Sequence, residues 1–552
     1  MQLDNVAGPI GFQARQSPDR SALVQGSSSW SYQELWHEIV RFGSLLRAIG
    51  IGPGERVAVF LENRPEAVAA ILGAAAVGAI AIPINWMLKA LQAEYILSHS
   101  TARCLVTSSA RLQALTSVLE RTSPEFQVVS IDPIMGERSE HVRAHVACEF
   151  HVGTDALAAR TPTIDEDPAM ILYTSGSTGQ PKGVLLSHRN LISGAFAVAS
   201  YLRMDGADRV LCAIPLGFDA GFNQVTSTLY SGGVAVLHNY MRPIEAVRCC
   251  ERHEVTGTTG VPPFWIDVTT VEWPDSARRR MRYFASTGGA MPQPVLQRLR
   301  KLFVNAEPYL MYGLTEAYRS TYLEPTLVDE RPNSVGKAIP NASVSIRRPD
   351  GTLCEPREVG ELVHVGATVG LGYWNDPEAT ARRFRPLETE VGGLRRSLPA
   401  VWSGDLVWRD EDGFIYVVGR NDAMIKTSGC RVSPTEIEEI VLASGLAREV
   451  VAAGLPDDRY GQIIGVTIAP SGDDDDREAR REGILKHCRA AAPSYMIPQV
   501  FAFAAELPRT ASGKFDREQC LAFLLQSLRQ QESQREPGPA GSLETQLREP
   551  IS

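Results

Sequence analysis

The sequence predicts an α/β protein in which a large, multi-sheet N-terminal domain is followed by a small C-terminal domain. Three observations predict it. Apolar runs of strand length alternate with helix-like segments, a hydroxyl- and glycine-rich turn directly follows one of those runs, and a charge- and turn-rich stretch separates a long pattern from a shorter one.

The strand-like runs include RVAVFLE (56–62), AMILYT (169–174) and RVLCAIPL (209–216), and a helix-like segment is PVLQRLRKLF (294–303). Residues 67–84, AVAAILGAAAVGAIAIPI, carry no charge, which is the bottom of the membrane-spanning range. Their alanine content, with Gly73, Gly78 and Pro83 inside, predicts instead a buried helix running into a buried strand. SGDLVWRDEDGFIYVVGRND, at 403–422, marks a hinge. The expected domains are 1–420 and 421–525, with 526–552 a polar, Pro/Gly-containing tail too poor in apolar residues to fold alone. No internal repeat is evident.

A chain of 552 residues, 44% hydrophobic and 22% charged, has the make-up of an ordinary globular protein with more than one core. Its net charge of −9 provides no positive field for a phosphate backbone or an anionic lipid surface, which argues against a nucleic-acid partner. Nine cysteines without a CxxC pair suit neither a metal framework nor a disulfide scaffold, so a reducing, cytoplasmic setting is expected. The N-terminal MQLDNVAGPIGFQARQSPDR lacks the order of an export signal.

The strongest chemical signal is YTSGSTGQPKGVLLSH, 173–188, where small residues let backbone N–H groups approach phosphate oxygens. Thr174, Ser175, Ser177 and Thr178 add hydroxyls, Gly176 and Gly179 permit the turn, and Lys182 supplies a point charge. The spacing is not that of the P-loop NTPases. A flexible surface loop is the bland alternative, and it would not require four hydroxyls and a Pro-Lys-Gly finish. MYGLTEA, 311–317, offers an aromatic face, a hydroxyl and a carboxylate within a few residues, although alone it could be a helix cap. Asp405 in WSGDLV suits two hydroxyl donors, although an aspartate after glycine is usually a turn. Lys514 in PRTASGKFDR would ordinarily be a solvated surface lysine.

Through YTSGSTGQPKGV the chain resembles the adenylate-forming superfamily of acyl-CoA synthetases, peptide-synthetase adenylation domains and luciferases. STGGAMP (286–292), MYGLTEA, WSGDLV, GRNDAMIKTSGCRVSP (419–434) and PRTASGKFDR then follow in the family's order, so the resemblance spans roughly 10–520. It implies a small, mobile α+β C-terminal domain that carries the catalytic Lys514. It implies that Tyr312 stacks on adenine, Thr315 touches the α-phosphate and Glu316 holds Mg²⁺, an oxygen-ligated ion that bridges phosphates. Gly288 and Gly289 would admit the base and border the acid. Asp405 and Arg420 would hold ribose, Asp422 would be the interdomain pivot, Gly429 would line the thiol's path, and Arg431 would approach phosphate.

The expected reaction is ATP-dependent adenylation of a carboxylic acid, with Mg²⁺, followed by transfer to a thiol. No carrier module is evident after Arg517, so the acceptor is expected to be CoA or a separate phosphopantetheinyl carrier protein. The acyl pocket should involve IPLGFDAGFNQ, 214–224, with Phe218, Asp219 and Asn223. The FDA arrangement resembles amino-acid adenylation domains, in which the aspartate pairs with an α-ammonium; this favours an amino acid or amine-bearing acid. Asp219 as a helix cap is the alternative. Arg319 follows the metal-binding motif and has two open readings, recognition of a second carboxylate or polar substituent, or an interdomain salt bridge. The wording also resembles stand-alone acyl-CoA ligases encoded with bacterial exopolysaccharide and protein-sorting systems. Transfer to a nitrogen nucleophile, a fatty or aryl acyl-CoA synthetase, luciferase-type oxidation and a non-catalytic nucleotide-binding regulator remain the competing readings. The protein is expected to work as a monomer or homodimer.

Overall fold

Uncharged runs become central strands because only there can both faces of a strand be covered. A computed structural model of the chain describes residues 3–121, 125–134, 143–150, 162–174, 180–420, 424–471, 476–509 and 515–534. The first unit comprises residues 1–433 with 458–461 and holds three large sheets. In one of them Arg56–Phe60 runs parallel between Ile80–Pro83 and Cys104–Thr107. Pro168–Thr174 lies beside Ile80–Pro83 and turns into the antiparallel Lys182–Ser187, which pairs in turn with Gly372–Tyr373. The second sheet is a parallel stack of Arg209–Cys212, Gly257–Gly260, Tyr283–Ser286 and Glu307–Tyr312, extended on both sides. The third is an antiparallel meander that includes Gly360–Gly366, Ala400–Arg409 and Ile415–Arg420.

The run at 67–84 forms a buried helix, Pro65–Ala76, and then the fully buried strand Ile80–Pro83, as the sequence predicts. No helix among the described residues is long and apolar enough to cross a membrane. Helix Gln293–Leu302 buries Val295, Leu296 and Leu299 on one face and shows its basic residues on the other.

The second unit, residues 434–457 and 462–552, contains helices Pro434–Leu442, Arg477–Ala491 and Arg517–Gln534 and the strand Val500–Phe503. The first unit takes in the hairpin of Ile425–Thr427 and Cys430–Val432, whose Gly429 and Arg431 lie near Val261 and Asp405. The last helix also continues past 525 to Gln534, since its Gln, Leu and Arg residues are good helix formers despite their polarity. The expected tail is therefore shortened at its start, and 535–552 lie outside the described residues.

His364, on strand Gly360–Gly366, is buried between the Ser320 and Thr368 hydroxyls at 3.1 and 3.0 Å. Burial pushes its imidazole down to about 4 from an ordinary 6.5. The unfolded chain therefore takes up a proton that the folded one refuses, and stability present above pH 6.5 is lost as pH falls toward 4. The loss should reach about 3 kcal/mol. Melting temperatures recorded from pH 8 to 4 should fall less steeply for His364→Gln than for the wild type; parallel curves would refute this.

Candidate active site

The hairpin between Pro168–Thr174 and Lys182–Ser187 places Thr174 directly opposite Lys182. Ser175, Gly176, Ser177, Thr178 and Gly179, between them, lie outside the described residues. The Lys182 ammonium sits 3.3 Å from the Asp376 carboxylate and 5.1 Å from the centre of the Tyr373 ring. Asp376 is held in turn as the N-cap of helix Pro377–Arg383, accepting from the Ala379 amide at 2.9 Å.

Tyr373 links this lysine to Glu316. Its hydroxyl donates to Glu316 Oε1 at 2.6 Å, and the Arg383 guanidinium lies 3.9 Å from the same oxygen. Glu316 is 4% exposed. Burial alone would raise its carboxyl, but Arg383, Arg431 and the Tyr373 hydroxyl outweigh that and hold it below the usual carboxylate range. Glu316 Oε2 has no hydrogen-bond partner among the described residues. A buried anionic oxygen left in that state fits a hard cation. Among the described residues no cluster of three or more His, Cys, Asp or Glu could hold a metal ion, so an ion on Glu316 would draw its other ligands from phosphate and water.

Tyr312, the last residue of strand Glu307–Tyr312, donates its hydroxyl to Asp405 on the neighbouring antiparallel sheet. Burial, then the Asp405 charge, pushes that phenol well up, so it remains a donor. Arg431 approaches the same carboxylate at 3.9 Å, and Arg420 is the register partner of Asp405 across the strand pair. The Arg420 side chain, Asp422 and Lys514 lie outside the described residues. Gly429, at φ +76°, lies against Val261, where an added Cβ would come within 2.6 Å of Val261 Cγ1. Gly288, at φ +79°, faces the Gly429 carbonyl, and Gly289 next to it faces Pro262.

On the acid side, Phe218 precedes helix Asp219–Tyr230 and Asp219 is its first residue. One Asp219 oxygen accepts from the adjacent Ala220 amide at 2.5 Å, while Phe218 holds the N-cap position without a side-chain cap bond; the other oxygen lies 3.4 Å from the Thr315 hydroxyl and 3.9 Å from Arg319 Nη1. The carboxylate 3.9 Å from Arg319 belongs to the first unit. Asn223, one turn into the helix, is buried beside them.

Lys182, Tyr373 and Glu316 thus form one chain of contacts and Arg431, Asp405 and Tyr312 another, with the Arg431 charge acting on the Glu316 carboxyl and Asp219 beside Thr315. The sequence reading missed Tyr373, Asp376 and Arg383. Their signal was YWNDPEATARRF, 373–384, an aromatic followed by a helix cap and a cationic helix end, but nothing local ties it to Glu316.

The family model described as AMP-binding enzyme matches residues 12–374, and that described as AMP-binding enzyme C-terminal domain matches 436–514. The chain is 30% identical to a sulfoacetate–CoA ligase from Cupriavidus necator, over 93% of this chain and 97% of the relative. The o-succinylbenzoate coenzyme A synthetase from Bacillus subtilis, in complex with ATP and magnesium ion, is 25% identical and superposes with a TM-score of 0.62, covering 93% of this chain and 99% of that one. An amide bond synthetase from Marinactinospora thermotolerans shares the fold, with a TM-score of 0.80 at 22% identity over 94% of this chain and 99% of that chain.

Proposed function

Since this chain belongs to the AMP-binding enzyme family and is an AMP-forming acid–thiol ligase, we propose that the two chains of contacts, Lys182 to Glu316 and Arg431 to Tyr312, bind ATP and that the Asp219–Arg319 side binds the acid. The observation that carries this is the link from Lys182 through Tyr373 to Glu316, with the Arg431 charge acting on the Glu316 carboxyl and Arg431 near Asp405.

A carboxylate oxygen attacks the α-phosphorus of ATP, and the bond to pyrophosphate breaks. The carboxylate meets an anion of about four negative charges, so catalysis is mostly charge cancellation and alignment. Lys182 and the turn at 174–179 hold the departing phosphates, Thr315 and Arg431 face the α-phosphate, Tyr312 covers adenine, and Asp405 with Arg420 takes the ribose hydroxyls. Mg²⁺ held by Glu316 would supply positive charge to the phosphate oxygens. Lys514 bridges the acid and the α-phosphate. A thiol then attacks the carbonyl carbon of the mixed anhydride, the acyl–oxygen bond breaks, AMP leaves and the thiol proton passes to solvent. Exchange of the Lys514 segment for that around Gly429, pivoting at Asp422, separates the two steps.

The thiol is CoA in this reading, with a separate carrier protein as the alternative acceptor. The relatives that the chain matches include a sulfoacetate–CoA ligase and a feruloyl-CoA synthase, and names so different do not choose this chain's substrate. An amine-bearing acid is a second reading, favoured by the position of Asp219 beside Thr315. Arg319 already gives Asp219 a countercharge, so burial alone no longer demands an ammonium.

The test is incubation with ATP, Mg²⁺ and hydroxylamine across amino, fatty, aryl and dicarboxylic acids. At least one acid should yield hydroxamate and pyrophosphate, and none doing so would overturn the ligase reading. If an amino acid is preferred, Asp219→Ala should abolish its advantage over the desamino analogue.

A further inference from the structure

Arg319 is a charged side chain with almost nothing to hold. It is 4% exposed, yet the nearest carboxylate among the described residues, on Asp219, stands 3.9 Å from Nη1, beyond hydrogen-bond length. Its Nε is buried without a hydrogen-bond partner among the described residues, and the Tyr318 ring, 5.9 Å from the guanidinium carbon, adds only a weak cation–π contact. A guanidinium carries five donors. Removing such an ion from water costs several kcal/mol unless those donors are satisfied, and the Asp219 carboxylate supplies charge at 3.9 Å without a hydrogen bond.

The backbone is bent to aim it. Tyr318 adopts φ +55° and ψ −46°, and the Arg319 amide bonds back to the Ala317 carbonyl at 2.6 Å. That is a γ-turn with positive φ on a bulky residue, a strained conformation that persists only where surrounding packing imposes it. The packing is present: Tyr318 is fully buried, and its ring lies so close to Gly194 that a Cβ there would come within 2.3 Å. The turn lets Glu316 face the phosphate side while Arg319, three residues on, points elsewhere.

It lines a small pocket of about 10 Å³, close to the space of one water molecule, beside helix Asp219–Tyr230. Arg319, Asn223, Gln224, Tyr283, Ser227 and Thr259 supply its polar wall, and Val198, Leu202 and Met311 part of its apolar one. Gln224 Oε1 and the Tyr283 hydroxyl are also buried without hydrogen-bond partners among the described residues. Arg319 is the one charged residue that lines the cavity among the described residues. A purely aliphatic tail would leave these groups unpaired, which is the costly state.

Resting on the ligase reading, we infer that Arg319 is the specificity residue of the acyl pocket and that the acid taken is short and carries a second anionic group, a carboxylate or a sulfonate, at the end remote from the carboxyl that is adenylated. The planar guanidinium matches either group with paired hydrogen bonds, Nη1 stays near Asp219, and Nε gains its missing acceptor.

The experiment compares kcat/KM for ATP-dependent hydroxamate formation with succinate, 3-sulfopropionate, butyrate and 4-aminobutyrate, in the wild type, Arg319→Gln and Arg319→Lys. A succinate- or sulfopropionate-to-butyrate ratio of about 30 is expected in the wild type, within the range for a charge-assisted hydrogen bond. The ratio should collapse toward one in Arg319→Gln and be partly kept in Arg319→Lys. A merely structural role would lower all substrates together and leave the ratio unchanged, and that result overturns the inference. A wild-type preference for butyrate or 4-aminobutyrate overturns it without any variant, while leaving the ligase reading intact. Turnover of none of these or of any wider panel overturns the ligase reading instead.

Discussion

Lys514→Ala should lower acyl-adenylate formation by about 100-fold or more while sparing much of the thiol-transfer step. The attack brings an anionic carboxylate against an already anionic α-phosphate, and a positive charge on both oxygens offsets repulsion that no neutral side chain can. Once the adenylate exists the carbonyl carbon is activated by its leaving group, and a thiol needs no cation between two anions. Lys514 belongs to the segment matched by the C-terminal-domain model, at its last residue. ATP–pyrophosphate exchange with the preferred acid measures the first step. Release of AMP from a synthetic acyl-adenylate in the presence of CoA measures the second. Losses of equal size in both would remove the proposed exchange of segments between the half-reactions, and an undiminished exchange rate would remove Lys514 from catalysis.

Which parts of this site could be read from the sequence follows from how local each contact is. Tyr312, Thr315 and Glu316 stand out in the sequence because one short stretch carries the aromatic ring, the hydroxyl and the carboxylate, whereas the bond from Tyr312 to Asp405 spans 93 residues and has no local signal. The alternating layers were legible as well, because uncharged runs such as 67–84 have few destinations other than a sheet covered on both faces. Tyr373 was not legible. It meets Glu316 across 57 residues through the pairing of Gly372–Tyr373 with Lys182–Ser187, and such register is set by the whole sheet. The γ-turn at Tyr318 was hidden for the opposite reason, since local preference argues against positive φ for tyrosine and only close packing such as that against Gly194 holds it. The first unit takes in Gly429 and Arg431, which lie near Val261 and Asp405, long-range contacts that charge and turn content near 403–422 do not encode.

Glu316→Gln tests the metal assignment separately from the fold around it. Glutamine keeps the shape and an oxygen for the Tyr373 hydroxyl but removes the charge that faces Arg383 and Arg431. Breaking a buried ion pair from one side costs about 3 kcal/mol or more, so a lowered melting temperature is expected and by itself says nothing of metal. The deciding readout is the response to Mg²⁺. With ATP present, the wild type should gain melting temperature as Mg²⁺ is added, because a ligand that binds only the folded state stabilises it. The variant should need about tenfold more ion for the same gain, the outer value expected when an orienting oxygen ligand is weakened. Adenylation should fall by about 100-fold, comparable to the loss of one preorganised electrostatic contact. If the variant melts lower yet shows the wild-type Mg²⁺ midpoint, Glu316 is a structural counter-ion for the two arginines, and the ion must sit on phosphate and water alone.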